Sequence, residues 1–149
     1  MITYQEESWT QIEEELKELF PVHWEEIALD KDIIKLKPNY TLYKTLDGAG
    51  NLQTITVRDE GKLIGYHVCL IHSHMHYEDS LTAFTDIFFI EKKYRKGRTG
   101  LKLFQFMEQQ LKSKNVQKIY MGTKLSLDIS SLLEYLNYRP IEKLYSKLL

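Results

Sequence analysis

Between Lys92 and Lys102 the chain places six cations in eleven residues: Lys92, Lys93, Arg95, Lys96, Arg98 and Lys102, set around Gly97 and Gly100. The run before them, LTAFTDIFFI, is β-branched and aromatic and reads as a strand. The run after them, from about Thr99 to Lys114, carries Leu101, Phe104, Met107 or Glu108, and Leu111 at helical spacing. A helix that starts just past a basic loop presents unpaired N–H groups and the positive end of its dipole, which suits a phosphate. The glycines let backbone approach oxygen atoms closely, and successive N–H groups form an anion nest. A diphosphate with a further phosphate nearby fits this pattern. The plainer alternative is a solvated basic turn. No Gly-Lys-Ser/Thr closes the loop and no G-x-G-x-x-G is present, so neither common nucleotide fingerprint applies.

A second group of chemically able residues lies just upstream. His72, His74 and His76 alternate, so an extended chain points all three to one face, with His67 earlier on the preceding strand. Histidine titrates near neutrality and serves as a general base. His72, His74 and Glu78 also have the spacing of a cupin metal triad. The glycines that flank that triad are absent, and helices in the C-terminal half do not suit a jelly roll. Strand capping, or packing against Tyr77, is the structural alternative for these histidines. The single cysteine, Cys69, sits in the apolar run VCLI and reads as a buried structural thiol.

The elements that must position these groups follow from periodicity. The chain has 149 residues, 43% hydrophobic and 28% charged, which predicts one folded domain over 1–149. A net charge of −1 argues against a general nucleic-acid binder. No signal-peptide pattern and no apolar run of the roughly 20 residues needed to span a bilayer are seen, so a cytoplasmic protein is expected. Residues from about Ser8 to Phe20 predict a helix with Ile12, Leu16, Leu19 and Phe20 as its stripe. Pro21 is expected to end it, and HWEEIAL to form a second short helix with Trp24 in the core. The stretch Asp30–Leu52 is weakly patterned, with turn residues at 47–51. LQTITVRD and KLIGYHVCLI predict paired antiparallel strands turned at Glu60-Gly61. VQKIYMG predicts a strand, Leu127–Leu136 a helix and KLYSKLL a last strand. The fold class is α+β.

The loop resembles that of the GNAT N-acetyltransferases, which carry [QR]-x-x-G-x-[GA] between the fourth strand and the next helix. Ile90-Glu91-Lys92-Lys93-Tyr94-Arg95-Lys96-Gly97-Arg98-Thr99-Gly100 aligns with that pattern without a gap. Arg98 stands where the middle glycine is usual. Leu132-Leu133-Glu134-Tyr135-Leu136-Asn137-Tyr138 is similar to the end of the family's fourth helix, with Asn137 in place of its glycine. EKLYSKLL is similar to its last strand. The pattern as a whole looks most like acetyltransferases encoded by bacteriophages.

The resemblance implies a single GNAT domain. Its central, mixed and mostly antiparallel sheet is flanked by helices, with strands 4 and 5 splayed around acetyl-CoA. It implies pantetheine contacts from the Phe88, Phe89 and Ile90 backbone, and pyrophosphate contacts from Arg95, Lys96, Gly97, Arg98, Thr99, Gly100 and Leu101. A backbone N–H near Ile90 would hold the developing oxyanion. The acceptor would be an amine: a protein lysine or N-terminus, a host protein's among them, or a small amine. The family's usual catalytic Glu falls on Phe84 and its usual Tyr on Leu133. Asp86, two residues along the strand, is the nearest substitute base, with His74 and His76 as further candidates. A purely structural ion pair or backbone contact for Asp86 stands equal to that role. Glu6, Glu7, Glu13, Glu14, Glu15 and Glu18 make the first helix acidic, either to draw a cationic acceptor or simply as a solvated face. A non-catalytic GNAT-fold regulatory or virion-associated protein is the rival reading, and a cupin-like metal protein a more distant one. Monomer and homodimer both remain open, and a phage origin would place the protein in the host cytoplasm.

Overall fold

The computed structural model describes Met1–Leu149. In order the chain forms β1 (Ile2–Glu6), α1 (Trp9–Ile27), α2 (Tyr40–Gly48), β2 (Leu52–Asp59), β3 (Lys62–His74) and β4 (Tyr77–Ile90). A 3-10 turn (Lys92–Tyr94), α3 (Thr99–Ser113), β5 (Val116–Tyr120) and α4 (Ser130–Tyr135) follow. The strands make one sheet in the order β1-β2-β3-β4-β5, antiparallel except where β5 runs parallel to β4. The strand–helix–strand crossover through α3 makes that parallel pair possible.

Each sheet face is closed by its own helices. On one, Trp9, Ile12, Leu16 and Phe20 of α1 pack on Tyr66, Val68 and Phe89, with Tyr40, Tyr43 and Leu46 of α2 against the edge of that cluster. On the other, Leu103, Phe104, Met107 and Leu111 of α3 pack on Ile55, Val57, Cys69 and Ile71. Cys69 is fully buried and its thiol is pushed up to about 12 by that burial, so it is a packing residue.

Several elements differ from the sequence-based expectation. Pro21 does not end the first helix; α1 runs straight through it. Proline removes one helix hydrogen bond. Pro21 faces solvent, however, while its neighbours Phe20 and His23 are buried against the sheet, and that burial carries the helix onward. His23, not Trp24, is the buried member of its pair. β1 and α2 were not anticipated. The signal for α2 was present in Tyr40, Tyr43 and Leu46 at helical spacing and in Asn39, whose Oδ1 accepts the Leu42 N–H at 3.0 Å. The last helix starts at Ser130, not Leu127. Asp128 Oδ1 accepts the Ser130 N–H at 2.9 Å, and Thr123 Oγ1 takes the Ile129 N–H at 2.8 Å.

The expected last strand, KLYSKLL, does not form, and Leu144, Tyr145 and Leu149 lie exposed. Its adjacent apolar pairs, Leu144-Tyr145 and Leu148-Leu149, give neither face the two-residue alternation a half-buried strand needs. The end of α4 does follow expectation. Asn137 adopts φ 66°, the Tyr138 N–H reaches Leu133 O at 2.9 Å, and the Asn137 N–H reaches Glu134 O at 3.0 Å. That is a Schellman cap with asparagine in the left-handed position where glycine is usual.

Candidate functional site

The site begins with one extra residue in β4. Val68 pairs with Ile87 and Cys69 with Thr85, so Asp86 is unmatched and forms a β-bulge. The bulge reverses the side-chain alternation. Ala83 and, beyond the bulge, Phe88 and Ile90 join the α3 face, while Ile87 and Phe89 turn to the α1 face. Phe88 therefore does not flank Asp86, as simple alternation implies. β5 pairs with β4 only at Leu81–Phe84. From Thr85 to Ile90 the outer edge of β4 has no strand beside it, and alternate backbone N–H and C=O groups face that opening.

The opening leads to the basic loop. None of the backbone N–H groups of Lys96, Gly97, Arg98, Thr99, Gly100 and Leu101 has an acceptor in the protein. The first turn of α3 holds no acidic residue and its N-cap has no side-chain partner. Gly97 stands at φ 82°, a conformation that glycine adopts without strain. Six successive donors at a helix start form a concentrated anion site. Tyr94 donates to Asp59 at 2.9 Å and Tyr4 to the Thr99 carbonyl at 3.3 Å, which hold the loop on the sheet.

Arg95 is used differently from its neighbours. Its Nε donates to the Ile90 carbonyl at 2.7 Å and its guanidinium forms a two-pronged pair with Glu26 at the end of α1. Lys96, Arg98 and Lys102 have no carboxylate partner. These three cations, with the six N–H groups, are what the loop offers to phosphates. The residues present thus fit a CoA-type ligand, with an open strand edge for an amide-bearing arm and a donor cluster for a diphosphate.

On the α1 face of the sheet, at Ile87, lies a cavity of about 370 Å³ bordered by Trp24, Tyr43, Ile87 and Lys124. Tyr43, on the unanticipated α2, donates its hydroxyl to Asp86 Oδ2 and stacks on Trp9 with ring centroids 4.0 Å apart. Burial, then the Asp86 carboxylate, pushes the Tyr43 phenol above its ordinary value, so it stays protonated. His23 also borders the cavity, its Nδ1 2.9 Å from the Tyr66 hydroxyl. Burial pushes its imidazolium down to about 4, with Arg95 and Lys124 acting against the opposing pull of Glu26. Fully buried His67 is pushed by burial to about 3; its Nε2 lies 3.2 Å from Thr85 Oγ1 and its Nδ1 has no partner. Both are neutral at pH 7.

The other histidines stand elsewhere. β3 ends at His74, and Met75-His76 form the hairpin turn, so the three do not share one strand face. His74 Nδ1 accepts the His76 N–H at 3.1 Å, a contact that shapes the hairpin. That hairpin begins β4 nine residues before Asp86, about 25–30 Å along the strand. His72 stacks on Phe84 at 4.9 Å, and Phe84 on Tyr120 at 4.9 Å, so the position of the usual glutamate carries an aromatic ladder. Leu133, at the usual tyrosine position, is buried in the core. No three His, Cys, Asp or Glu side chains are placed to hold a metal ion, and an open sheet with helices on both faces is not a cupin barrel.

Known proteins give the same architecture. Residues 9–133 match the Acetyltransferase (GNAT) family. No curated protein sequence matches the chain. Among solved structures, an aminoglycoside acetyltransferase from an uncultured soil metagenomic sample superposes with a TM-score of 0.76 at 11% identity, covering 99% of this chain and 97% of that one. A predicted acetyltransferase from Clostridium acetobutylicum, solved with acetyl-CoA, gives 0.73 at 9% identity, covering 99% and 96%. Glucosamine-6-phosphate N-acetyltransferase from Arabidopsis thaliana gives 0.74 at 11% identity, covering 99% and 98%. At such identities structural likeness speaks for the fold alone, whereas the family match spans most of the chain and includes the strand, loop and helix described above. With bulge, open strand edge and donor-lined loop all in one continuous stretch, this chain belongs to the GNAT family of acetyltransferases.

Proposed function

We propose that the protein moves an acetyl group from acetyl-CoA to an acceptor amine, with Asp86 as the general base. The observation that carries this reading is the open β4 edge running from the bulged Asp86 into the six unpaired N–H groups of Lys96–Leu101. When bound, acetyl-CoA supplies an activated thioester carbonyl. Outward N–H groups of the Thr85–Ile90 edge align the ligand and polarise that carbonyl. The lone Asp86 carboxylate at the bulge takes the proton released by the attacking nitrogen, directly or through one water. Tyr43, protonated and bonded to Asp86, fixes the carboxylate's orientation. Lys96, Arg98 and Lys102 stabilise phosphates at the far end of the cleft.

His74 and His76 lie too far from this edge to share the step, so the base assignment rests on Asp86. A cytoplasmic setting accompanies the reading; for a phage-encoded protein it would be the host's cytoplasm. The non-catalytic alternative draws on Phe84 and Leu133 at the usual Glu and Tyr positions. One experiment separates the two. Saturating acetyl-CoA should raise the melting temperature, with about 2.7 kcal/mol gained at 100 times Kd, and a panel of amines should release CoA thiol. Stabilisation with no thiol release from any amine supports the non-catalytic protein. An unmoved melting curve overturns cofactor binding itself.

A further inference from the structure

The charges around the cavity at Ile87 contrast with those on the helix beside it. Several acidic residues on α1 and just before it are paired within the fold. Arg58 binds both Glu7 and Glu15, and Glu13 takes the Trp9 Nε1–H at 3.0 Å and pairs with Lys17 and Lys44. Glu26 is held by Arg95. None of these carboxylates borders the cavity. Three lysines do: Lys35 and Lys37 from the segment between α1 and α2, and Lys124 from the segment after β5. None of the three has a carboxylate partner. They come from two distant parts of the chain and meet at one concave space whose other walls include Trp24, Tyr43 and Ile87. A chain of net charge −1 has no general excess of cations to scatter there.

We infer that the acceptor of this enzyme is a small amine that also carries an anionic group, a phosphate or a carboxylate, held by Lys35, Lys37 and Lys124. This inference rests on the transferase reading above and narrows its acceptor class. Cations gathered around one concave space hold an anion jointly, and Lys37 and Lys124 carry no hydrogen-bond partner in the fold, while the Lys35 ammonium donates to the Lys31 carbonyl at 2.8 Å. Ile87 follows Asp86 within the open stretch from Thr85 to Ile90, so an amine attached to the held anion lies close to the base. The cavity has no carboxylate of its own to receive a purely cationic acceptor, and a polyamine or lysine side chain would face three like charges.

The test compares matched amines with acetyl-CoA on the full chain: phosphoethanolamine against ethanolamine, and β-alanine against its amide. The anionic member of at least one pair should show a kcat/KM about tenfold higher or more, as charge-assisted contacts imply. The phosphate and carboxylate arms tell the two sources apart. Lys37→Gln with Lys124→Gln should bring that ratio down toward one, and added salt should do the same in wild type. Equal rates within both pairs overturn this inference and leave the transferase reading in place. A loss of CoA affinity in the double variant as large as the fall in the ratio assigns the lysines to the cofactor and also overturns it. If no amine is acetylated, the transferase reading fails. Stabilisation of the CoA-bound protein by phosphoethanolamine, present in wild type and lost in the double variant, then still supports the anion site, and its absence in wild type overturns it.

Discussion

The two ends of the cleft are built in opposite ways. The cofactor end is one continuous stretch, Asp86 to Leu101, in which strand edge, loop and helix start follow each other along the chain. The proposed acceptor end draws Trp24 from α1, Lys35 and Lys37 from a connecting segment, Tyr43 from α2 and Lys124 from beyond β5. Backbone donors dominate the first and side chains the second. Local sequence can therefore encode the first, while the second exists only once distant segments are packed. The experiments below should separate the two ends, and each names the result that would merge them again.

The largest effect should come from Asp86→Asn. Turnover should fall by about 10²–10⁴ while CoA affinity stays near wild type, since the side chain is not part of the phosphate site. Tyr43→Phe should have a smaller effect of the same kind. Unchanged turnover in both would leave catalysis to positioning alone and remove Asp86 from the chemistry.

Acid should act on the acceptor end first. His23 and His67 are held neutral, at about 4 and about 3, against an ordinary value of 6.5. The unfolded chain takes up these protons before the folded one does. Their contribution is therefore fully present above pH 6.5 and declines as pH falls through 6.5 toward the folded values. For His23 the full loss is ~3 kcal/mol. Imidazole resonances followed by NMR should show His23, beside the proposed acceptor cavity, titrating above His67, which lies fully buried on the α3 face of β3. Titration of both near 6.5 would mean that neither ring is buried as described.

Gly100→Val should weaken CoA binding by roughly 10–100-fold, because a side chain then stands among the N–H donors. The fold should tolerate it, since an added Cβ meets only Leu132 Cδ2 at 3.7 Å and Ile90 Cδ1 at 3.8 Å. Calorimetry with native affinity would move the phosphates away from this loop. The smallest effect is expected for Arg95→Ala, which cuts the tie between the two ends. Loss of the Glu26 pair and the Ile90 carbonyl contact should lower stability by about 1–2 kcal/mol, with only a few-fold change in both CoA and acceptor affinity. A collapse of CoA affinity with unchanged stability would instead make the guanidinium a direct phosphate ligand.

Much of the fold was legible because it rests on local patterns. The strands β2 and β3 were marked by their apolar pattern, β4 by its β-branched and aromatic residues, α3 by Phe104, Met107 and Leu111, and the α4 cap by Asn137, although the buried leucine at the start of α3 is Leu103 and not the expected Leu101. Pro21 misled because the penalty for proline is local, while the burial of Phe20 and His23 that outweighs it is not. The bulge at Asp86 leaves no local mark either. Nothing in TAFTDIFFI says where β4 gains a residue over β3, yet that one residue decides which side chains face the cleft.

By itself, then, the amino-acid sequence determined the order of elements around β4 and the position of a basic helix start with unpartnered N–H groups. Both follow from periodicity, glycine and charge within a short stretch of chain. Only the tertiary structure decided that Arg95 would be spent on Glu26, that Tyr43 would meet Asp86 and that three lysines would share one cavity. Those pairings join residues far apart in the chain, and packing, not local preference, sets which side chains meet.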